Sequence, residues 1–493
     1  MLSKPLASYI QRWQKKWATQ PEESQRRIFQ SLIKKAENTA FGRDHDFKGI
    51  RNFKDFQERV PIKDYEGLSS YVKQILDGKS DILWPGKPAY FAKTSGTTSG
   101  TKYIPITKDS LPNHINSARN ALLSYVAETG NSKFLDGKLI FLSGSPTLDY
   151  NAGIATGRLS GIVNHHVPAY LRSNQMPSYD TNCIEDWEAK VDKIVDETHD
   201  QSMSLISGIP PWVQMYFDKL VEKTHKPIKD LFPDFSLFVY GGVNFEPYRP
   251  KLFETIGSYV DSIETYPASE GFIAYQDSQE ADGLLLLVNS GIFFEFVPLE
   301  EYFDANPRRL TLEEVELDQN YALILNSNAG LWGYSIGDTV KFVSKYPHRV
   351  VVTGRVKHFI SAFGEHVIGE EVEKAMKLAC DEFPETEIIE FTVAPNVTPA
   401  EGLPRHEWYI EFAKTPKELS SFAKSLDLHL RNLNSYYDDL VTGSVLSELQ
   451  IKTLSKNAFI DYMRSIGKLG GQNKVPRLSN DRKIADQLSA HIL

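Results

Sequence analysis

Residues 94–102 read Thr94-Ser95-Gly96-Thr97-Thr98-Ser99-Gly100-Thr101-Lys102. Small residues let backbone N–H groups come close to a polyphosphate, the hydroxyls add donors, and Lys102 adds a positive charge. The spacing is not that of a Walker A loop, which joins a strand to a helix. Here residues 90–92 and 103–106 on either side are β-prone, so a hairpin loop is expected. Composition alone would equally describe a solvated Ser/Thr/Gly linker, and the flanking strands weigh against that. Beyond them Thr107 can cap a helix whose Leu111, Ile115, Leu122 and Val126 share an apolar face. Arg119 on that helix can reach an anionic substrate, although an arginine on a helix is most often a surface residue.

Downstream, short apolar runs at 139–142, 204–206, 237–240 and 262–264 alternate with helical stretches at 187–198, 211–223 and 247–256. This alternation predicts a largely parallel sheet. The rhythm then changes: 284–288, 292–297, 322–326 and 339–343 read as successive antiparallel strands. After 353–357 a smaller unit follows, with helices at 370–380 and 417–433 and strands at 388–393 and 408–412. The expected fold is α/β. It has a large N-terminal domain, 1–353, with mixed sheets and an antiparallel β-barrel-like part, and a small mobile α+β C-terminal domain, 354–493.

The composition bounds what such a chain can do. Its 493 residues are 41% hydrophobic and 24% charged, which suits packed globular domains. A net charge of -9 argues against a general nucleic-acid binder, because phosphate contacts need clustered cations. Cys183 and Cys380 lie far apart without metal-ligand spacing and read as reduced, buried thiols. The first 35 residues read as amphipathic helix and lack the apolar core of a signal peptide. The longest apolar runs fall far short of the roughly 18–20 residues that span a bilayer, so a cytoplasmic protein with no membrane partner is expected.

Five further segments follow in order. Gly241-Gly242 ends a strand, where ligands commonly sit in open α/β sheets. Tyr266-Pro267-Ala268-Ser269-Glu270 stands just past another strand, and Tyr334-Ser335-Ile336-Gly337-Asp338 comes later. Last come Thr353-Gly354-Arg355-Val356-Lys357 and Gly470-Gly471-Gln472-Asn473-Lys474-Val475-Pro476-Arg477. Each alone would be an ordinary turn or surface loop. As a series with residues 94–102 they resemble the motifs of adenylate-forming enzymes. From residue 80 to residue 477 the chain resembles the Gretchen Hagen acyl acid amido synthetases.

That resemblance implies a reaction and a set of roles. ATP and magnesium would activate a carboxylic acid as acyl adenylate, and an amino acid amine would take the acyl group. Ser95, Gly96, Thr97 and Thr98 would hold ATP phosphates, and Gly242 and Tyr266 the adenine. Ser269 belongs to the same nucleotide motif, Glu270 would bind magnesium, and Asp338 would accept from the ribose hydroxyls with Arg355 nearby. Lys474 would be the catalytic lysine of a mobile loop, with Gln472 beside the amino acid and Arg119 beside the acid. Ser335 departs from the family's usual arginine. The acid pocket would lie between the Arg119 helix and residues 150–170, where His165 and His166 read as structural, as do His358 and His366.

Two other readings stand beside this one. An acid–thiol ligase would share the first half-reaction and pass the acyl group to coenzyme A. A nucleotide-binding sensor would keep the site without turnover. A monomer is the expected state, with small-molecule acid and amino acid as partners and no nucleic acid.

Overall fold

The computed structural model describes residues 3–94, 101–167, 172–242, 245, 249–356, 359–360, 362–365, 367–466 and 475–493. The chain divides into two compact units. One comprises Met1–Glu185, Ala189–Gly242 and Phe253–Val356; the other comprises Asp186–Glu188, Val243–Leu252 and Lys357–Leu493.

The first unit is organised by an eleven-stranded sheet. Its strand Asp261–Ala268 is a watershed. On one side lie Leu237–Gly241, Met203–Ser207, Lys138–Phe141 and Gln175–Met176, all paired in parallel. Helices Trp187–Thr198, Pro210–Thr224 and Arg249–Ile256 occur between successive parallel strands, as crossover connections require. On the other side lie Gly271–Tyr275, Leu284–Leu286, His348–Arg355, Tyr334–Lys345, Asn320–Ser327 and Ile292–Pro298, all antiparallel. The parallel and antiparallel halves expected from the sequence are therefore both present, joined in one sheet. A smaller four-stranded sheet carries Lys102–Ile106, Tyr90–Thr94, Ile154–Gly157 and Asp149–Asn151 in that order.

The N-terminus forms two helices, Ser3–Ala18 and Pro21–Ala36, where the sequence suggested one amphipathic stretch. Pro21 explains the break: it lacks the N–H an interior position needs but is well placed in a first turn. The second helix buries Gln25, whose amide donates to the carbonyls of Val288 and Ile292 at 2.8 Å and accepts from Phe294 N–H at 2.8 Å. The bonds to Ile292 and Phe294 occupy backbone groups of the sheet's terminal strand that would otherwise invite pairing with another chain.

The second unit is α+β. Strands Glu387–Asn396, Arg405–Lys414 and Gln450–Thr453 form one sheet, with helices Gly369–Glu382 and Leu419–Leu433 packed on each other. Trp408 is fully buried and stacks on Phe391 at 5.7 Å. Cys183 and Cys380 are free and half-buried, less enclosed than the sequence suggested. Among the described residues no helix is long and apolar enough to cross a membrane.

One buried ion pair tests the packing of the first unit. Glu295 and Arg309 have side chains 0% and 7% exposed and meet in a two-pronged contact at 2.6 and 2.8 Å. Arg309 also donates to Val60 O at 2.6 Å, and Asn326 donates to Glu295 at 2.7 Å. Removing one partner strands a buried charge, so Arg309→Met should cost about 3–5 kcal/mol in urea unfolding. Arg309→Met combined with Glu295→Met should recover most of that loss.

Candidate active site

The two arms of the expected hairpin are present. Tyr90–Thr94 and Lys102–Ile106 pair antiparallel with Thr94 opposite Lys102, so residues 95–101 connect two pinned strand ends. Ser95, Gly96, Thr97 and Thr98 lie outside the described residues. The Tyr65 hydroxyl accepts from Tyr103 N–H at 2.9 Å, and its ring lies 5.9 Å from the Lys102 ammonium. After the second arm the chain turns at Thr107, whose Oγ1 accepts from the N–H groups of Asp109 and Ser110. The same hydroxyl donates to Asn328 O at 2.7 Å. The helix, Leu111–Thr129, thus starts later than a Thr107 cap implied, with Ser110 at the cap position and Thr107 shaping the preceding turn.

The motifs after the hairpin meet across the rolled sheet. The Tyr266 hydroxyl donates to Asp338 Oδ2 at 2.5 Å, and the Tyr334 hydroxyl to Glu270 Oε1 at 3.1 Å. In sheet order the strands of Tyr266 and Asp338 are four steps apart. On a flat sheet that separation is about 19 Å, beyond the reach of two side chains. The antiparallel half must therefore curl over, which is the barrel-like part expected from the sequence.

A bulge aims Asp338. Ala322 pairs with Thr339 and Ile324 with Ser335, so Leu323 alone faces Ile336, Gly337 and Asp338. Gly337 sits at φ +84°, a conformation that costs glycine little, and its carbonyl accepts from Val356 N–H at 2.8 Å. Asp338 is 6% exposed and Tyr266 8%; Ser269 and Glu270 are half-buried in the turn that follows the Tyr266 strand. At the neighbouring strand end two glycines are needed for different reasons. A Cβ on Gly241 would stand 2.3 Å from Thr265 O, whereas Gly242 has open space but φ +83°. The parallel pairing of Gly241 with Thr265 brings Gly242 beside Tyr266.

This arrangement can now be compared with known proteins. The GH3 family N-terminal domain matches residues 10–163, the central domain 285–355 and the C-terminal domain 370–483. The chain belongs to the GH3 family. Its relatives include the jasmonoyl–L-amino acid synthetase JAR4 of Nicotiana attenuata, 23% identical over 92% of this chain and 90% of that protein. Another is the indole-3-acetic acid-amido synthetase GH3.3 of Arabidopsis thaliana, 20% identical over 95% and 91%. The fold resembles that of the GH3.15 acyl acid amido synthetase in complex with 2,4-DB, with a TM-score of 0.62, 15% identity and coverage of 99% and 96%. It also resembles 2-hydroxyisobutyryl-CoA ligase in complex with 2-HIB-AMP and CoA, with a TM-score of 0.60, 13% identity and coverage of 96% and 91%.

In this GH3 chain the remaining expected residues are placed unequally. Arg119 is exposed, with its guanidinium on the Asn120 side chain at 3.2 and 3.4 Å. Arg355 closes the ladder by pairing with Asp338, so residues 353–355 of the expected hinge are the end of a strand. Gln472 and Lys474 lie outside the described residues, as do His358 and His366. His165 Nε2 meets Pro146 O at 2.7 Å and His166 Nε2 meets the Tyr90 hydroxyl at 3.0 Å, as structural histidines do.

One feature escaped the sequence reading, and one that it noted is now seen in its surroundings. Tyr334 was part of a quoted motif but had no role, and only the fold shows it bonded to Glu270. Ser335 carries no charge where the family has arginine: it is 5% exposed and its hydroxyl lies 2.8 Å from that of Tyr302.

His114, on the same helix as Arg119, is enclosed, and its Nδ1 has no hydrogen-bond partner. Burial pushes its pKa down to about 4. Between about 6.5 and 4 the unfolded chain therefore takes a proton that the native state refuses, and stability falls as pH falls through that window. Urea unfolding across it should lose up to about 1.4 kcal/mol per pH unit through this residue. His114→Gln should flatten the slope.

Proposed function

We propose that the chain activates a carboxylic acid as its acyl adenylate and passes the acyl group to the amine of an amino acid, releasing pyrophosphate and then AMP. It is an acid–amino acid ligase of the adenylate-forming type. GH3 membership and the amido-synthetase relatives support this, and the observation that carries it to particular residues is the pair of tyrosine–carboxylate bonds, Tyr266 to Asp338 and Tyr334 to Glu270. Each fixes a carboxylate rotamer before a ligand arrives, the preorganisation a nucleotide site needs.

Asp338, buried and held by Tyr266, is suited to accept the ribose hydroxyls, with Gly242 and Tyr266 toward the adenine and Ser269 in the same turn. Ser95, Gly96, Thr97 and Thr98 would cradle the phosphates on arms that the hairpin holds fixed. Glu270 fits magnesium. It is one half-buried carboxylate, and among the described residues no cluster of three or more His, Cys, Asp or Glu forms a complete protein cage. Magnesium keeps water and phosphate oxygens as most of its ligands, so a single protein carboxylate suffices. When bound, the ion offsets charge on the phosphates.

An acid oxygen attacks the α-phosphorus of ATP and pyrophosphate leaves. Two anions must meet, so hydroxyls and N–H groups of the hairpin loop and the ammonium of Lys474 are assigned to offset the growing charge. Arg119, with its exposed guanidinium, is assigned to the acid and Gln472 to the amino acid. The amine then attacks the acyl carbonyl and AMP leaves. We assign domain 1–353 to the nucleotide and acid, and 354–493 to a lid carrying Lys474. Because strand pairing reaches Arg355 and Val356 is tied to Gly337, lid rotation would begin past Val356, later than 353–357 suggested. The proposed enzyme is cytoplasmic and monomeric.

Fold likeness alone does not choose between amide and thioester products, since an amido synthetase and a CoA ligase resemble the chain almost equally. Family membership favours the amide. Acid-dependent pyrophosphate release should be assayed over aryl, indole and fatty acids, with and without mixed amino acids and with coenzyme A as the alternative acceptor. Wild type should release pyrophosphate only with an acid and form an amide. Lys474→Ala should lose roughly 10²- to 10³-fold. Equal activity in the variant would remove Lys474 from the chemistry, and a thioester product would replace the amide reading.

A further inference from the structure

The turn that carries Ser269 and Glu270 is gripped from outside its own hairpin. Strands Asp261–Ala268 and Gly271–Tyr275 pair with Phe272 opposite Pro267, and their register slips between Phe272 and Ala274. Pairing with the strand on the other side, Leu284–Leu286, reaches only as far as Ala274 opposite Leu286, so the Phe272 carbonyl lies beyond it. The next carbonyl, that of Ile273, is taken by Leu287 N–H at 2.9 Å. Phe272 is 4% exposed, so water is a poor substitute.

Asn113 meets the need from the helix. Its Nδ2 donates to Phe272 O at 3.0 Å and its Oδ1 accepts from Phe272 N–H at 2.6 Å. The side-chain amide thus pairs with both backbone groups of one residue as a neighbouring strand would, two residues past Glu270. The approach is close: a Cβ on Gly271 would stand 2.6 Å from Ile292 Cδ1 and 3.6 Å from Asn113 Oδ1.

The other end of this brace is the phosphate hairpin. Asn113 lies in the first turn of Leu111–Thr129, just past the arm Lys102–Ile106. The intervening turn is held by Thr107 to Asn328 O at 2.7 Å, and Asn328 Nδ2 returns to Asp109 O at 2.9 Å. The arm of the phosphate loop, the turn at 107–110 and the Glu270 turn are therefore linked by hydrogen bonds across more than 150 residues of sequence.

We infer that Asn113 is a positioning residue for adenylation: it sets the Ser269–Glu270 turn at a fixed distance from the phosphate hairpin, so that both engage one magnesium nucleotide. This rests on the proposed function. It adds that the amide of Asn113 is required for nucleotide engagement beyond its part in holding the fold.

The test uses the full chain and compares wild type, Asn113→Ala, Asn113→Asp and Ser124→Ala. Ser124 lies further along the same helix and bonds Gln14 and Asn120, so it reports generic loosening of that helix. Calorimetry gives magnesium-ATP affinity without acid; pyrophosphate release gives KM for ATP and for acid, and thermal unfolding gives Tm. Asn113→Ala should weaken magnesium-ATP binding and raise its KM by about 10- to 100-fold, the usual effect of losing an outer partner of a metal ligand. KM for acid should change less than about twofold. Asn113→Asp keeps the acceptor but turns an oxygen on the Phe272 carbonyl, and it should share the defect even where its Tm matches that of Ser124→Ala. Unchanged magnesium-ATP affinity in the soluble Asn113→Asp variant, or an equal rise in both KM values, would overturn the inference. Nucleotide binding that depends on Asn113 in a wild type that releases no pyrophosphate would sink the activity reading and leave the brace standing. Wild type that binds no magnesium-ATP would remove both.

Discussion

A tyrosine hydroxyl on one strand and a carboxylate four strands away can share a hydrogen bond only where the intervening sheet has rolled over. The bond between Tyr266 and Asp338 imposes that condition, and much of the first unit serves it. The bulge at 336–338 kinks one wall inward, and the slip between Phe272 and Ala274 bends the other. Both irregularities disturb the regular ladder, and both are repaired locally: Val356 N–H reaches Gly337 O, and Asn113 reaches Phe272. In the parallel half the register shift lies between Lys138 and Leu139, at the strand's start. At the other end Gly241 and Gly242 leave the strand edge open beside Tyr266.

Regular periodicity was what the sequence carried best. Runs such as 204–206 and 237–240 mark strands buried on both faces, and the spacing between them leaves room for one helix, so parallel pairing followed from length alone. The antiparallel run was readable for a different reason: the helical spacing of apolar residues fades between its successive strands. What periodicity could not show was that both halves form one sheet. A strand such as Asp261–Ala268 reads the same whether it ends one sheet or joins two.

The helix Leu111–Thr129 marks where apolar patterning misleads. Leu111, Ile115, Leu122 and Val126 suggested the buried face, yet of these only Val126 is buried and the other three are partly so. Asn113, His114, Ser117, Asn120 and Ser124 are buried instead, together with Ala121, Leu123, Tyr125 and Val126. The helix packs against the N-terminal helix and against strands whose backbone needs partners, so polar side chains are what its surroundings require. A sequence scan that equates burial with apolarity cannot find such a face. The candidate site residues were legible to a different degree: Tyr266, Glu270 and Asp338 through their motifs, but their pairing only through the roll of the sheet.

Ser335 shows how a departure from a motif is absorbed. Pairing sets Glu295 opposite Ile324 and Ile324 opposite Ser335, so all three share one row and one face. Glu295 is fully buried, and a buried carboxylate needs a cation with good geometry or it is strongly destabilising. Here the cation is Arg309, reaching in from beyond the strand and fixed by the carbonyls of Gln57 and Val60. With that charge already met, position 335 has no electrostatic duty toward Glu295. A small hydroxyl suffices there, satisfied by Tyr302, while its N–H donates to Lys63 O at 2.8 Å. Ser335 remains fixed by bonds on both its side chain and its backbone, and the bulge that aims Asp338 begins at the next residue, so the carboxylate keeps its place without the arginine.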